Sequence, residues 1–286
     1  MSGKSVVVTG ANSGIGFVTS RELAKMGAHV VMVCRSEERA GPARAAVAQV
    51  AAGPQPTVML ADLSIQSDVR RLAAELHARL RHVDVLVNNA GASFAKRELT
   101  ADGVERTIAT NYVGPFLLTN LVLDLLKAAP QGRVVTVATE VYPGKLDFAN
   151  LQGERSYRFF PAYTRSKLAD IVFAVELARR LEGTRVTSNA LSPGPARTRF
   201  GDNMTGAAGL FPRLMKRLPI FKSAEVAART SILLASAPEL ARTSGKFFFR
   251  EREVPLKPVA LDRAVAKRLW EETERLCRPP LEVVAR

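Results

Sequence analysis

SVVVTGANSGIGFVTSRELAKMG, from Ser5 to Gly27, decides the fold of this chain. SVVVT is a continuous apolar run of the kind found in a parallel strand covered on both faces. A glycine-rich turn and the helical pattern FVTSRELAKMG follow directly, so strand, turn and helix form one βα unit. In TGANSGIG, Gly10 supports the turn, Gly14 admits a close phosphate and Gly16 allows tight helix–strand packing. The helix N-terminus adds free amides and a favourable dipole. Asn12, Ser13 and Ile15 complete the loop, and its expected guest is a dinucleotide pyrophosphate.

The same alternation continues outward. HVVMVCR (29–35) reads as a second strand, and EERAGPARAAVAQVAA as a mostly helical return broken near Gly41 and Pro42. PTVMLADLS supplies a third strand ending near Asp62, and a helix from about Gln66 to Leu80 leads to VDVLVNNAG, the fourth. PFLLTNLVLDLLKAA is apolar round most of its circumference and predicts a buried helix. RVVTVAT is a fifth strand, a helix through Tyr163 runs to about Leu181, and VTSNALSPG is a sixth strand. SAEVAARTSILLAS predicts a helix, SGKFFF a last strand and LDRAVAKRLWEETERLC a closing amphipathic helix. The expected architecture is α/β: one domain holding a Rossmann-type doubly wound parallel sheet with helices on both faces. Residues 201–222 break the pattern, with Pro212 and Pro219 among scattered apolar residues, and predict a substrate lid with short helices.

At 286 residues the chain is long enough for one large α/β domain. No apolar stretch approaches the ~20 residues of a membrane helix. The start, MSGKSVVVTG, enters a strand too early for a secretory signal, so the cytoplasm is the expected compartment. Cys34 and Cys277 are the only cysteines, which argues against a disulfide framework or a zinc site. The net charge of +14 is spread along the chain without nucleic-acid-binding signatures, so no nucleic-acid partner is expected. Oligomeric state stays open, a homo-oligomer included.

Proton chemistry is written in PAYTRSKLADIVF. Tyr163 and Lys167 lie one helical turn apart on the same face. An ammonium beside a phenol favours phenolate and is expected to lower a pKa that is normally ~10. At the end of the second strand, where an NAD site offers an acid to the adenosine ribose, this chain has Cys34, Arg35 and Ser36. Arg35 suits a phosphate, so NADP(H) is expected in preference to NAD(H).

In order, Thr9-Gly10-x-x-x-Gly14-Ile15-Gly16, Asp62-Leu63, Asn88-Asn89-Ala90-Gly91, Asn111, Tyr163-x-x-x-Lys167 and Pro193-Gly194 resemble the landmarks of the short-chain dehydrogenase/reductase family over nearly the whole chain. NYVGPFLLTNLVL, LDFANLQGE, AYTRSKLADIVFAVELARRL and KRLWEETERL resemble its retinol-dehydrogenase-like branch. The resemblance implies that Asp62 and Leu63 lie by the adenine, that Asn89, Ala90 and Gly91 line the cofactor, and that Thr198, after Pro193 and Gly194, reaches the nicotinamide carboxamide. It assigns Asn111, Tyr163 and Lys167 to catalysis, with Lys167 also on the nicotinamide ribose and Asn111 helping to hold a proton-supplying water chain. Where the branch pattern has V-N-V-S-S, this chain reads Val135-Thr136-Val137-Ala138-Thr139, so Thr139 stands for the catalytic serine. Its hydroxyl can donate, while its methyl group restricts χ1 and crowds the nicotinamide.

What the resemblance implies is interconversion of a carbonyl and an alcohol with NADP(H) and no metal, on a bulky apolar small molecule. The branch is often membrane-anchored through an N-terminal segment, which this sequence does not show, so retinoid chemistry is not carried over. Two other readings stand beside this one. A catalytically weak NADPH-binding sensor or scaffold would explain Thr139, either as a relic of lost activity or as a β-branched strand residue. Arg213, Lys216 and Arg217 among apolar lid residues would suit a membrane surface, although Pro212 and Pro219 keep any helix there short.

Overall fold

The computed structural model describes residues 1–196 and 222–277. Thr198 and all but the last residue of the expected lid lie outside them.

Eight strands form one sheet in the order β3-β2-β1-β4-β5-β6-β7-β8. They are β1 (Ser5–Thr9), β2 (His29–Cys34), β3 (Thr57–Leu60), β4 (Val85–Asn88), β5 (Gly132–Val137), β6 (Val186–Ser192), β7 (Phe247–Phe249) and β8 (Arg252–Val254). Every pairing is parallel except the last, where β8 returns along β7 as a hairpin. The hairpin has no counterpart in the sequence reading. Its turn residues Arg250 and Glu251 take φ of 50° and 64° without the glycine or asparagine that ordinarily signals such a turn.

Side-chain alternation divides the core between the two faces of the sheet. Val7, Val31 and Val33 point to one cluster, with Leu72, Phe116, Phe173 and Trp270. Val6, Val8, Val30 and Met32 point to the other, with Leu23, Val47 and Leu234. The first face carries α3 (Gln66–Arg79), the run α4 (Arg106–Ile108), a π turn (Ala109–Val113) and α5 (Gly114–Leu121), then α6 (Leu123–Ala128) and α7 (Phe159–Arg180). The second carries α1 (Gly14–Lys25), α2 (Glu37–Ala48) and α8 (Ala224–Ser236). The short α9 (Pro258–Leu261) and α10 (Arg263–Leu276) close the first face, and Asp262 caps α10 by accepting from the amides of Ala264 and Val265.

Two expectations need correction. The break near Gly41 and Pro42 does not form, because α2 runs through Pro42. A proline there removes one backbone donor, and burial of Ala40, Ala43 and Val47 offsets the loss. The apolar helix after Asn111 is two helices that meet at Val122.

Strand order reverses beside β1, whose neighbours are β2 on one side and β4 on the other. In such sheets the carboxyl ends of the strands open a crevice at the reversal, where ligands bind. The glycine loop after β1 and the Asn-Asn-Ala-Gly loop after β4 both stand there.

Candidate active site

Thr9 ends β1, and its hydroxyl joins the two crevice loops. Its Oγ1 accepts from the amides of Asn89 and Ala90, each at 3.0 Å, and donates to the Val87 carbonyl at 3.3 Å. The Asn89 side-chain amide donates to the Thr9 carbonyl at 2.8 Å. Asn89 thus ties the loops together, and Asn88, buried beneath, donates to Thr119 Oγ1 at 2.9 Å.

This closeness explains Gly16. A Cβ there would lie 2.4 Å from both Asn89 Nδ2 and the Gly10 carbonyl oxygen, which no side chain tolerates. Gly14 opens α1 with φ of +55°. Ser13 holds the N-cap position without making a side-chain cap, so its hydroxyl leaves the first-turn amides to another acceptor. Asn12, Ser13, Gly14 and Ile15 are partly exposed at this end of the helix. Unclaimed amides, a glycine turn and a helix N-terminus at the strand reversal fit a dinucleotide pyrophosphate.

Arg35, just past β2, is exposed and has no ion pair or hydrogen bond among the described residues. Asp62 Oδ1 instead accepts from the amide and hydroxyl of Ser64, at 2.9 and 2.7 Å, making a local turn. Leu63 is buried, and its carbonyl lies so close to Gly114 that a Cβ on Gly114 would sit 2.0 Å away.

On the other side of the crevice, Asn111 lies in the π turn, a distortion common at functional sites. Its Oδ1 accepts from the Ala92 amide at 2.7 Å, and its Nδ2 donates to the Ala92 carbonyl and Ser166 Oγ, each at 2.9 Å. Both amide hydrogens are therefore committed to protein. Ser166 Oγ donates in turn to the Tyr163 carbonyl at 2.7 Å, so Asn111 fixes the start of α7 to the loop after β4.

Lys167 is buried. Its ammonium donates to the Val137 carbonyl, the last of β5, at 2.8 Å and to Asp170 Oδ2 at 2.9 Å. Gly91 stands alongside: a Cβ built on it would be 3.7 Å from Lys167 Nζ and from Asn111 Oδ1. Tyr163, one turn earlier in α7, keeps some exposure. Burial pushes its phenol well above the ordinary range, and the carboxylates of Asp170 and Glu140 push the same way. The lowering expected from Lys167 does not prevail: burial decides the direction.

Thr139 lies two residues beyond the end of β5, in the loop and partly exposed, so its β-branched shape does not serve the strand. Its Oγ1 accepts from the Val141 amide at 3.2 Å, which leaves the hydroxyl hydrogen to donate elsewhere. Glu140 accepts a short hydrogen bond from Ser192 Oγ at the end of β6. The same oxygen accepts from the Gly194 amide at 3.1 Å, tying Pro193 and Gly194 to the Thr139 loop. Ala196 and Lys222 then pair in a β-bridge, with the Lys222 amide donating to the Pro195 carbonyl at 2.9 Å.

The structure thus brings the glycine loop, Asn89 to Gly91, Asn111, Thr139, Tyr163, Lys167, Pro193 and Gly194 to the carboxyl ends of the central strands. Sequence reasoning quoted Thr9 in the glycine motif without a role of its own, and passed over Ser166, Glu140 and Asp170. Asp170 carried a signal, standing three residues after Lys167 on the same helix face. Cys34 and Cys277 are buried, with burial pushing their thiols up to about 11 and about 12, as inert core cysteines require.

Residues 4–207 match the short chain dehydrogenase family. Retinol dehydrogenase 14 of Homo sapiens is 42% identical over 294 residues, covering 96% of this chain and 86% of its own length. Retinol dehydrogenase 13 of Homo sapiens is 40% identical over 280 residues, covering 96% and 84%. A Mycobacterium paratuberculosis protein of known crystal structure has a TM-score of 0.76 at 33% identity, covering 96% of this chain and 94% of that one. A Shigella flexneri 2a short chain dehydrogenase crystallised with NADP has a TM-score of 0.69 at 22% identity, covering 88% and 98%, a likeness of fold alone.

Proposed function

Because this chain belongs to the short-chain dehydrogenase/reductase family, in its retinol-dehydrogenase-like branch, we propose that it reduces a bulky apolar carbonyl compound with NADPH. The wider activity comes with the family: an NAD(P)-dependent oxidoreductase that interconverts carbonyl and alcohol. Arg35 is the observation that carries the choice of cofactor. Its guanidinium, unpartnered among the described residues, lies just past β2, a position that suits a ribose 2′-phosphate, and neither Cys34 nor Ser36 beside it is an acid that would hold ribose hydroxyls instead.

When bound, the nicotinamide supplies the hydride to the carbonyl carbon. Tyr163 gives its phenol proton to the carbonyl oxygen, and the phenolate left behind takes a proton back from solvent. Thr139 donates its hydroxyl hydrogen to the same oxygen, where charge develops. Asn111 and Ser166 fix the backbone of Tyr163, and Lys167 clamps α7 to the end of β5. The glycine loop and the first-turn amides of α1 hold the pyrophosphate.

Two apolar side chains support the choice of substrate. Val141, two residues after Thr139, is 53% exposed and Phe160, three residues before Tyr163, is 51% exposed. Large exposed apolar groups flanking a polar site suit an apolar ligand. The related retinol dehydrogenases are named for such a compound, a long apolar alcohol. Residues 201–222 as a substrate lid and a cytoplasmic location belong to the same proposal. No helix among the described residues is long and apolar enough to cross a membrane.

A screen of aliphatic, aromatic and terpenoid aldehydes and ketones, following NADPH consumption, tests the reading. Equal use of NADH would refute the cofactor choice. Tight NADPH binding with no turnover of any carbonyl would favour the sensor or scaffold.

A further inference from the structure

The ladder between β5 and β6 closes where the Ala138 amide donates to the Leu191 carbonyl at 2.7 Å. Beyond it one chain continues to Thr139 and the other enters the turn Pro193-Gly194. Side chains take over the connection there. Ser192 Oγ, in a residue 1% exposed, accepts from the Gly194 amide at 3.1 Å, and its single hydrogen goes to Glu140, the residue after Thr139. Glu140 is partly exposed, so core packing does not call for it.

The three groups fix the direction of this relay. A carboxylate only accepts, so Ser192 must donate to it, and the Oγ lone pairs are left for the Gly194 amide. A hydrogen bond to a charged acceptor is also stronger than a neutral one. The turn has little freedom otherwise. Gly194 has φ of +71°, and a Cβ on it would meet the Phe249 ring of β7 at 3.3 Å. The turn is therefore backed by β7 and tied through Ser192 to the loop after β5.

Strand order shows which half of a dinucleotide this link faces. Arg35 follows β2 and the glycine loop follows β1, whereas Thr139 and Gly194 follow β5 and β6, on the far side of β4. With the pyrophosphate on the glycine loop and the adenosine toward Arg35, chemistry at Thr139 and Tyr163 requires the nicotinamide at the ends of β5 and β6. We propose that Glu140 is a positioning residue for the nicotinamide half of the site: through Ser192 it locks the Thr139 loop to the Pro193-Gly194 turn, so that both segments hold the nicotinamide as one wall. The inference rests on the reading of the crevice as a dinucleotide site. Its consequence is a division of labour, in which breaking the link loosens the nicotinamide and leaves the adenine half alone.

The test is a binding measurement and needs no substrate. Fluorescence titration gives the affinity for NADPH or NADH, whichever binds more tightly, and competition gives the affinity for its adenine half alone, 2′,5′-ADP or ADP. In Glu140→Ala and Ser192→Ala the dinucleotide should bind about tenfold more weakly, the loss expected of one hydrogen bond, while the adenine half stays within about twofold. The rise in nicotinamide emission on binding should shrink in both variants, because the ring is less confined. Glu140→Gln keeps an acceptor for Ser192 and should restore both affinity and emission. Equal losses for the dinucleotide and its adenine half would make Glu140 a general structural residue, and unchanged affinity in both alanine variants would make the link idle; either result overturns the proposal. Ser192 is buried, so if Ser192→Ala does not fold, Glu140→Ala decides alone. If the unmodified protein binds neither the dinucleotide nor its adenine half, the reading of the crevice fails, and the proposal falls with it.

Discussion

Replacing Gly16 with alanine tests whether the two crevice loops form one rigid cradle. The new methyl carbon would meet Asn89 Nδ2 and the Gly10 carbonyl oxygen at 2.4 Å each, and the Gly10 carbonyl carbon at 3.0 Å. Ordinary contact begins near 3.4 Å, so both neighbours must retreat by about an ångström, and one of them is backbone. Overpacking of this kind costs about 1–3 kcal/mol. Displacing the Asn89 amide from the Thr9 carbonyl costs about 0.5–1.5 kcal/mol more, and alanine's better helix propensity returns up to about 1 kcal/mol. The net loss is about 0.5–4.5 kcal/mol. At roughly 2 °C per kcal/mol for a chain of this size, Tm should fall by about 1–9 °C.

Gly91→Ala is the matched control. Its Cβ meets nothing closer than 3.7 Å, and its backbone is not in the left-handed region, so Tm should hold within about 1 °C. Scanning calorimetry of both variants gives Tm, and NADPH fluorescence titration gives cofactor affinity, which should weaken in Gly16→Ala as the loop is pushed aside. If Gly16→Ala melted with the unmodified protein and bound NADPH as tightly, the loops would not be in the contact described.

Thr139→Val should cut turnover about 10²–10³-fold while Thr139→Ser keeps most of it, because valine lacks the donor and serine retains it; equal rates in a carbonyl assay would remove Thr139 from catalysis. Tyr163→Phe should abolish turnover yet bind NADPH nearly normally, whereas Lys167→Ala should lose both and, by unpairing buried Asp170, also lower Tm; substantial activity in Tyr163→Phe would defeat the assigned chemistry. Arg35→Ala should weaken NADPH binding at least tenfold and leave NADH binding unchanged, as titration of both cofactors would reveal. Asp170 also predicts a pH dependence of stability. Its carboxyl is raised in the folded protein, so the folded state binds more protons between about pH 4 and 6. Its contribution should therefore diminish as pH rises through that window, and denaturant titrations of Asp170→Asn should show a flatter profile there.

Most of the sheet was legible because parallel strands buried on both faces need unbroken apolar runs, and VVV, HVVMVC and VLVN are such runs. The glycine loop was legible for the same kind of reason, since only glycine fits the approach to Asn89. Electrostatics were not. Spacing placed Tyr163 and Lys167 on one face and suggested a lowered phenol, but it could not show that burial would push the phenol up, or that Asp170, three residues further on, would claim the ammonium. The end of the fifth strand was not legible, because RVVTVAT carries no stop signal, yet β5 ends at Val137 and Thr139 stands in the loop beyond it. The β8 hairpin was illegible because Arg250 and Glu251 do not advertise a turn.

That hairpin governs how copies of this protein can meet. An open sheet invites another chain to add a strand at its edge. Here the edge is three residues long, antiparallel to its neighbour, with Arg252 and Glu253 exposed on it and Lys246 paired to Glu253 at 2.9 Å. A second copy docking there would strip water from charges and gain few backbone hydrogen bonds. Extension of the sheet past β8 by a second copy is therefore disfavoured: among the described residues, this edge is closed to strand addition by its own charges.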